Sequence, residues 1–252
     1  KILAAKKEEG LDRNYEAMRQ KGISVIPWGE KEYPGRLKEI YDPPYALYVK
    51  GKLPDDTARA AAIVGARSCT PYGEKYALEY GKKLAECGIQ VISGLARGVD
   101  GIGQRGALLG GGKTFAVLGS GVDVCYPKNH MGLYLDILEQ EGGILSELPP
   151  GTPPLPQHFP RRNRIISALS DIVLVMEARE RSGSLITADL ALEQGKDVYA
   201  LPGPVNSSLS QGCNRLIFQG AGILLSPENL LDEMGIAYSG ECEKSDKNEK
   251  IA

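Results

Sequence analysis

The chain has 252 residues, of which 42% are hydrophobic, 25% charged and 6% aromatic, and its formal net charge is −2. That length and apolar content fit one large domain, or one large and one small, around a sizeable core. The balanced charge excludes a global positive field, so a nucleic-acid site has to be a local basic pocket, and the few aromatics argue against a surface made of base-stacking platforms.

Residues 1–22 read as a helix with a charged face. They begin at Lys1 rather than Met, so a fragment or a processed form is expected. "ISVIPW" (Ile23–Trp28) is a short strand. "YPGRLKEIYDPPYALYVKG" gives a proline-started helical turn, a double-proline break and an apolar strand near Ala46–Val49. Residues 51–59 turn polar, which makes 23–59 an extension and connector. From Ala60 a rhythm sets in. β-rich runs at Ala61–Val64, Gln90–Ser93, Thr114–Leu118, Ile144–Ser146, Asp171–Met176, Asp197–Leu201 and Gly222–Leu225 alternate with helical segments. Near-continuous apolar strands separated by helices predict a mostly parallel sheet covered on both faces. The reading is a doubly wound, Rossmann-like α/β domain over residues 60–237. The polar tail 238–252, "YSGECEKSDKNEKIA", is expected to be disordered.

In such sheets ligands sit at the carboxyl ends of the strands, where helix N-termini present free N–H groups. Several strand ends here carry glycine, small hydroxyls and basic residues. These are Gly65, Arg67 and Ser68; then "SGLARGVD" with Ser93, Gly94 and Arg97; then "GSGVDVCYPKNH" with Gly119, Lys128 and Asn129; then "EARERSGSLIT" with Arg179, Arg181, Ser182 and Gly183. "GARSCTPYG" is not the GxGxxG pattern of a dinucleotide turn, and the Walker A pattern is absent. Neighbouring strands lie roughly 4.8 Å apart, so a row of anion-receptive turns is spaced for successive phosphates of one extended chain, a single-stranded nucleic acid. "FPRRNRIISALS" adds Arg161, Arg162 and Arg164. Arg162 and Arg164 are either phosphate ligands or internal partners of Glu147 and Glu177, two strand-end acids expected to neutralise arginines. Asp100 is expected as a helix N-cap.

The five cysteines are scattered with no CxxC pair, and His130 and His158 have no ligand-spaced partners. Reduced thiols in a cytoplasmic protein are expected, without metal, cofactor or disulfide framework. No apolar run reaches membrane-spanning length and no signal peptide is present.

Seven segments between Tyr33 and Ala221, in order, resemble the DNA-processing protein A (DprA, also called Smf) family: "YPGRLKEIYDPPYALYVKG", "IVGARSCTPYG", "SGLARGVD", "AVLGSGVDVCYPKN", "FPRRNRIISALS", "SGSLITADLALEQGKDVYALPG" and "GCNRLIFQGA". The resemblance implies an extended Rossmann fold, binding of single-stranded DNA, protection of incoming DNA in natural transformation and loading of the RecA recombinase. It implies that Arg67 and Lys128 are the chief backbone ligands and that Gly65, Ser93, Gly94 and Gly119 supply N–H groups. It further implies that residues 1–22 end a sterile-alpha-motif-like helical region, that the tail links to a winged-helix domain, and that a homodimer forms through the C-terminal half of the Rossmann domain, with Leu216, Ile217, Phe218 and Leu224 as candidates. One departure stands out: the family's Ala-His after "GxD" is replaced by Gly103 and Gln104. The resemblance implies no enzyme. The competing readings are a nucleotide phosphoribohydrolase of the lysine-decarboxylase-like (LOG) group and a small-nucleotide sensor.

Overall fold

The computed structural model describes residues 10–236, so residues 1–9 of the expected first helix and the tail expected to be disordered lie outside the described residues. Nine strands form one sheet: β1 (Ile23–Pro27), β2 (Ala46–Gly51), β3 (Ala60–Val64), β4 (Gln90–Ser93), β5 (Thr114–Val117), β6 (Gly143–Ser146), β7 (Ile172–Val175), β8 (Asp197–Ala200) and β9 (Gly222–Ile223). Their order is β1-β2-β6-β5-β4-β3-β7-β8-β9. The seven strands from β3 to β9 run parallel, while β1 and β2 add on antiparallel beside β6. The segment expected as an extension therefore joins the main sheet.

Burial on both faces explains why the central strands read as continuous apolar runs. Along β3, Ala60, Ala62 and Val64 pack on one face and Ala61 and Ile63 on the other. The first face is covered by α2 (Gly35–Lys38), α6 (His158–Ala168), α7 (Gly183–Glu193) and α8 (Gln211–Phe218). The second is covered by α3 (Pro71–Glu86), α4 (Val99–Leu109), α5 (Met131–Glu139) and α9 (Pro227–Glu233); α1 (Gly10–Gln20) precedes β1. No helix among the described residues is long and apolar enough to cross a membrane.

Gly103 and Gln104 have structural work in this packing. A Cβ at Gly103 would lie 2.8 Å from Ile63 Cγ2, and one at Gly81 would run into the Gly103 carbonyl, so α3 and α4 approach at contact distance. Gln104 is fully buried; its Oε1 accepts the Leu95 N–H (3.2 Å) and its Nε2 donates to Thr114 Oγ1 (3.3 Å).

Candidate nucleic-acid interface

The loops leaving β5, β4, β3 and β7 are neighbours along the sheet, and each is fastened to the next. His130, in the 3₁₀ turn Lys128–His130 after β5, donates from Nδ1 to the Leu95 carbonyl at 3.0 Å. With its N–H held by Gln104 and its C=O by His130, Leu95 keeps a left-handed φ of 55° that a leucine rarely adopts. The β4 loop then bonds to the β3 loop through Val99 N–H to the Ala66 carbonyl (3.1 Å). Gly98, at φ 70°, is required there because a Cβ would meet the Ala66 and Arg67 backbone. Finally Glu177, just past β7, accepts the Thr70 N–H (2.8 Å) and hydroxyl (2.6 Å), tying β7 to the loop after β3.

This chain of fastenings holds a row of cations. Arg67, Arg97, Lys128, Arg179 and Arg181 are all exposed. None of them forms an ion pair within 4 Å among the described residues, whereas Arg36, Arg105, Arg161 and Arg164 are paired with Asp171, Asp136, Glu147 and Glu147. Other cations, such as Arg59, Lys75 and Arg215, also form no ion pair among the described residues, but only on the carboxyl-end loops do five of them follow one another along the sheet.

Beside the row opens a cleft of about 610 Å³ whose lining includes Gly65, Arg67, Ser68, Tyr126, Phe159, Arg162, Arg179, Arg181, Ser182 and Gly183. Ser182 caps α7, its hydroxyl accepting the Ser184 N–H (3.4 Å), so the positive end of that helix faces the cleft. Phe159 is the cleft's aromatic centre. The Arg67 guanidinium lies 5.3 Å and that of Arg162 6.0 Å from its ring centroid, with the Tyr126 ring at 5.8 Å. Gly119 makes room for it, since a Cβ there would fall 2.8 Å from Phe159 Cδ1. Lys128 and Asn129 are exposed on the adjoining turn. The arrangement suits an anionic chain that also presents flat rings.

Several residues expected as ligands belong to the scaffold instead. The Ser93 hydroxyl is spent on the Ile63 carbonyl (2.6 Å), and the Gly94 N–H on Asp100 (3.1 Å). Arg162 is 5% exposed and donates to the Gly94 carbonyl (2.9 Å), the Val117 carbonyl and Asn163 Oδ1 (3.2 Å). It bolts β4 to β5 beneath the cleft. Arg164 points to the other side of α6, gripping Glu147 with both terminal nitrogens (2.9 and 2.7 Å) and the Asp42 carbonyl with Nε (2.9 Å). It does not line the cleft. Asp100 is not the N-cap of α4, a position held by Gly98, but lies in its first turn. Buried, its carboxyl is pushed above the usual range, an effect opposed by Arg162, by the Gly94 N–H and by Arg67. Glu147 neutralises arginines as expected; Glu177 instead secures Thr70 at the start of α3. Tyr126 and Phe159 lay unread inside "CYPKN" and "HFPRRN", where an aromatic directly precedes a proline–cation run.

The architecture is that of a Rossmann-like α/β protein whose carboxyl edge, with its unpaired cations, suits an anion. Residues 24–235 match the family model of DNA recombination-mediator protein A, and the chain belongs to that family. It is 44% identical over 217 residues to protein Smf of Escherichia coli, a match spanning 86% of this chain and 58% of that one. It is 41% identical over 225 residues to the DNA processing protein DprA of Bacillus subtilis, covering 89% and 75%. Among solved structures, DprA of Streptococcus pneumoniae superposes with a TM-score of 0.77 at 39% identity, covering 88% of this chain and 78% of that one. DprA of Helicobacter pylori, described with its single-stranded DNA binding mode, superposes with a TM-score of 0.74 at 31% identity, covering 84% and 95%.

Proposed function

We propose that this chain binds single-stranded DNA along the carboxyl edge of its sheet, and that it acts as a non-enzymatic recombination mediator, protecting incoming DNA in natural transformation and loading the RecA recombinase onto it. The observation that carries the reading is the row of unpaired cations on four successive, mutually fastened loops. A mononucleotide needs one such loop; a row of them suits a backbone. The single-stranded DNA binding mode described for the H. pylori relative supports the same ligand class. A phosphoribohydrolase needs a carboxylate free to act on the departing groups. Glu177 is committed to Thr70, Glu147 to Arg164, and Asp189 is exposed on α7.

The test is a length series. Affinity should rise steeply from a mononucleotide to an oligonucleotide of several nucleotides, and a duplex of matched length should bind more weakly, because it is stiff over roughly 150 base pairs. Saturation by a mononucleotide, or equal affinity for duplex and single strand, would sink the reading.

The homodimer belongs to the same proposal. Phe218 is 91% exposed, Leu225 68% and Ile223 44%, grouped around the short edge strand β9, while Leu216 and Leu224 belong to the core. The Phe218→Asp variant should sediment as a monomer where the parent sediments as a dimer. Its melting temperature should be close to the parent's, since exposed substitutions move stability by about 0.5 kcal/mol or less. Equal sedimentation of the two proteins would remove Phe218 from the contact.

A further inference from the structure

The carboxyl edge of the sheet does not stop at β5. The pairings Val117↔Leu145, Tyr48↔Ser146 and Pro27↔Ala46 carry it across β6 to the start of β2 and the end of β1. Two connections meet there, and three exposed aromatics stand on them: Trp28 (49% exposed), Tyr45 (95%) and Tyr41 (105%). Single exposed aromatics need no explanation. These three differ, because the backbone beneath them is held at three points, with a fourth contact to the Asp42 side chain. Trp28 N–H donates to the Tyr45 carbonyl (2.9 Å), Tyr33 OH to the Pro44 carbonyl (2.8 Å), and Arg164 Nε both to the Asp42 carbonyl (2.9 Å) and, at 3.3 Å, to its carboxylate. None of the three rings contacts another ring or a cation among the described residues, so no aromatic or cationic partner occupies their faces.

The chemistry of this corner differs from that of the cationic row. Glu30, Glu32 and Glu39 outnumber Lys31 and Lys38, since Arg36 is held by Asp171, so the corner offers phosphates no net attraction. Glu147, which follows β6 between the two regions, is neutralised by Arg164 and by Arg161 at 3.4 Å, so this strand-end acid does not bar the way. Exposed, uncharged rings on a held backbone at the end of an anion-binding edge fit flat apolar faces, and on one chain the groups that accompany phosphates are nucleobases. The held backbone beneath them has little conformational freedom left to lose on binding.

We propose that Trp28, Tyr45 and Tyr41 form a base-stacking platform for the nucleotides that run beyond the cationic loops. The inference rests on the single-stranded DNA reading above and extends its site from β7 across to β1. It accepts any base, because every base has a π face.

Trp28 is the chain's sole tryptophan, so its emission reports this corner alone. The full chain is titrated with end-labelled oligothymidylates of increasing length, following label anisotropy and tryptophan emission together. Short oligonucleotides that fill the cationic loops raise anisotropy and leave Trp28 emission unchanged; longer ones quench it. Of two long oligonucleotides made abasic over the 5′ or the 3′ segment, one binds without quenching. Tyr45→Ala lowers affinity for long oligonucleotides by about tenfold, leaves short ones unaffected, and does not change the salt slope, since no phosphate contact is lost. Unchanged Trp28 emission with oligonucleotides that bind at every length, together with parental affinity in Tyr45→Ala, overturns the platform and leaves the DNA reading standing. No binding at any length overturns both.

Discussion

Removing the Arg67 and Lys128 side chains together should lower affinity for a single-stranded oligonucleotide by about a hundredfold. A hydrogen bond to a charged group contributes about 1.5–3 kcal/mol, and about 1.4 kcal/mol is tenfold in affinity. The two residues stand on different loops, after β3 and after β5, with no shared partner, so their losses should add. Each phosphate contact also releases counterions, and the salt slope for a single strand should fall by about 0.7 per contact, about 1.4 for Arg67→Ala with Lys128→Ala. Stability should hardly move: both side chains are exposed and neither forms an ion pair, although Arg67 gives up its contact with the Phe159 ring. Anisotropy titrations across a salt series, with a thermal melt of each variant, measure all three quantities. Parental affinity and slope in a folded double variant would show that the phosphates lie elsewhere.

Why these two cations and not the neighbouring ones could be told apart only partly from sequence. The parallel core was legible because burial on both faces leaves unbroken apolar runs such as "AAAIV" and "IVLV". The place of β1 and β2 was not, since an antiparallel strand added at one edge depends on its pairing with β6, about 95 residues away. At the site, the turns were legible as glycine and hydroxyl clusters at strand ends. The fate of each arginine was not. Arg164 is neutralised by Glu147, 17 residues away, and held by Asp42, 122 away, while Arg67 forms no ion pair among the described residues; nothing local distinguishes them. Glu177 and Ser93 hide in the same way, their partners lying 107 and 30 residues off. Gly103 and Gln104 could be noted in sequence as a departure; their helix contact and paired hydrogen bonds emerge only once α4 lies against α3 and β5.

Arg162→Met should be the most destabilising single change at the site, costing about 3–5 kcal/mol. Methionine fills similar space but donates no hydrogen bond. The Gly94 and Val117 carbonyls lose a buried donor, and the Asp100 carboxylate loses the charge that most opposes its burial. Burial pulls the Arg162 guanidinium down to about 10, with Asp100 acting against that shift and Arg67 adding to it, so it is charged at neutral pH. Arg162→Lys should not restore stability, because one ammonium cannot reproduce a planar fork that reaches two carbonyls and a side-chain amide. The pH dependence follows from Asp100. Its pKa is raised in the folded state, further still without Arg162, so its cost is greatest at neutral pH. As pH falls through that raised value the carboxyl takes up a proton in the folded state and the cost fades. The deficit of Arg162→Met should therefore narrow on acidification. Thermal melts at neutral and mildly acidic pH test this, with a change of roughly 2–4 °C expected per kcal/mol. DNA affinity should fall too, as the loops after β4 and β5 loosen, but the salt slope should stay at the parental value because no phosphate contact is removed. A variant that melts with the parent yet shows a reduced salt slope would make Arg162 a phosphate ligand and refute its role as the bolt between β4 and β5.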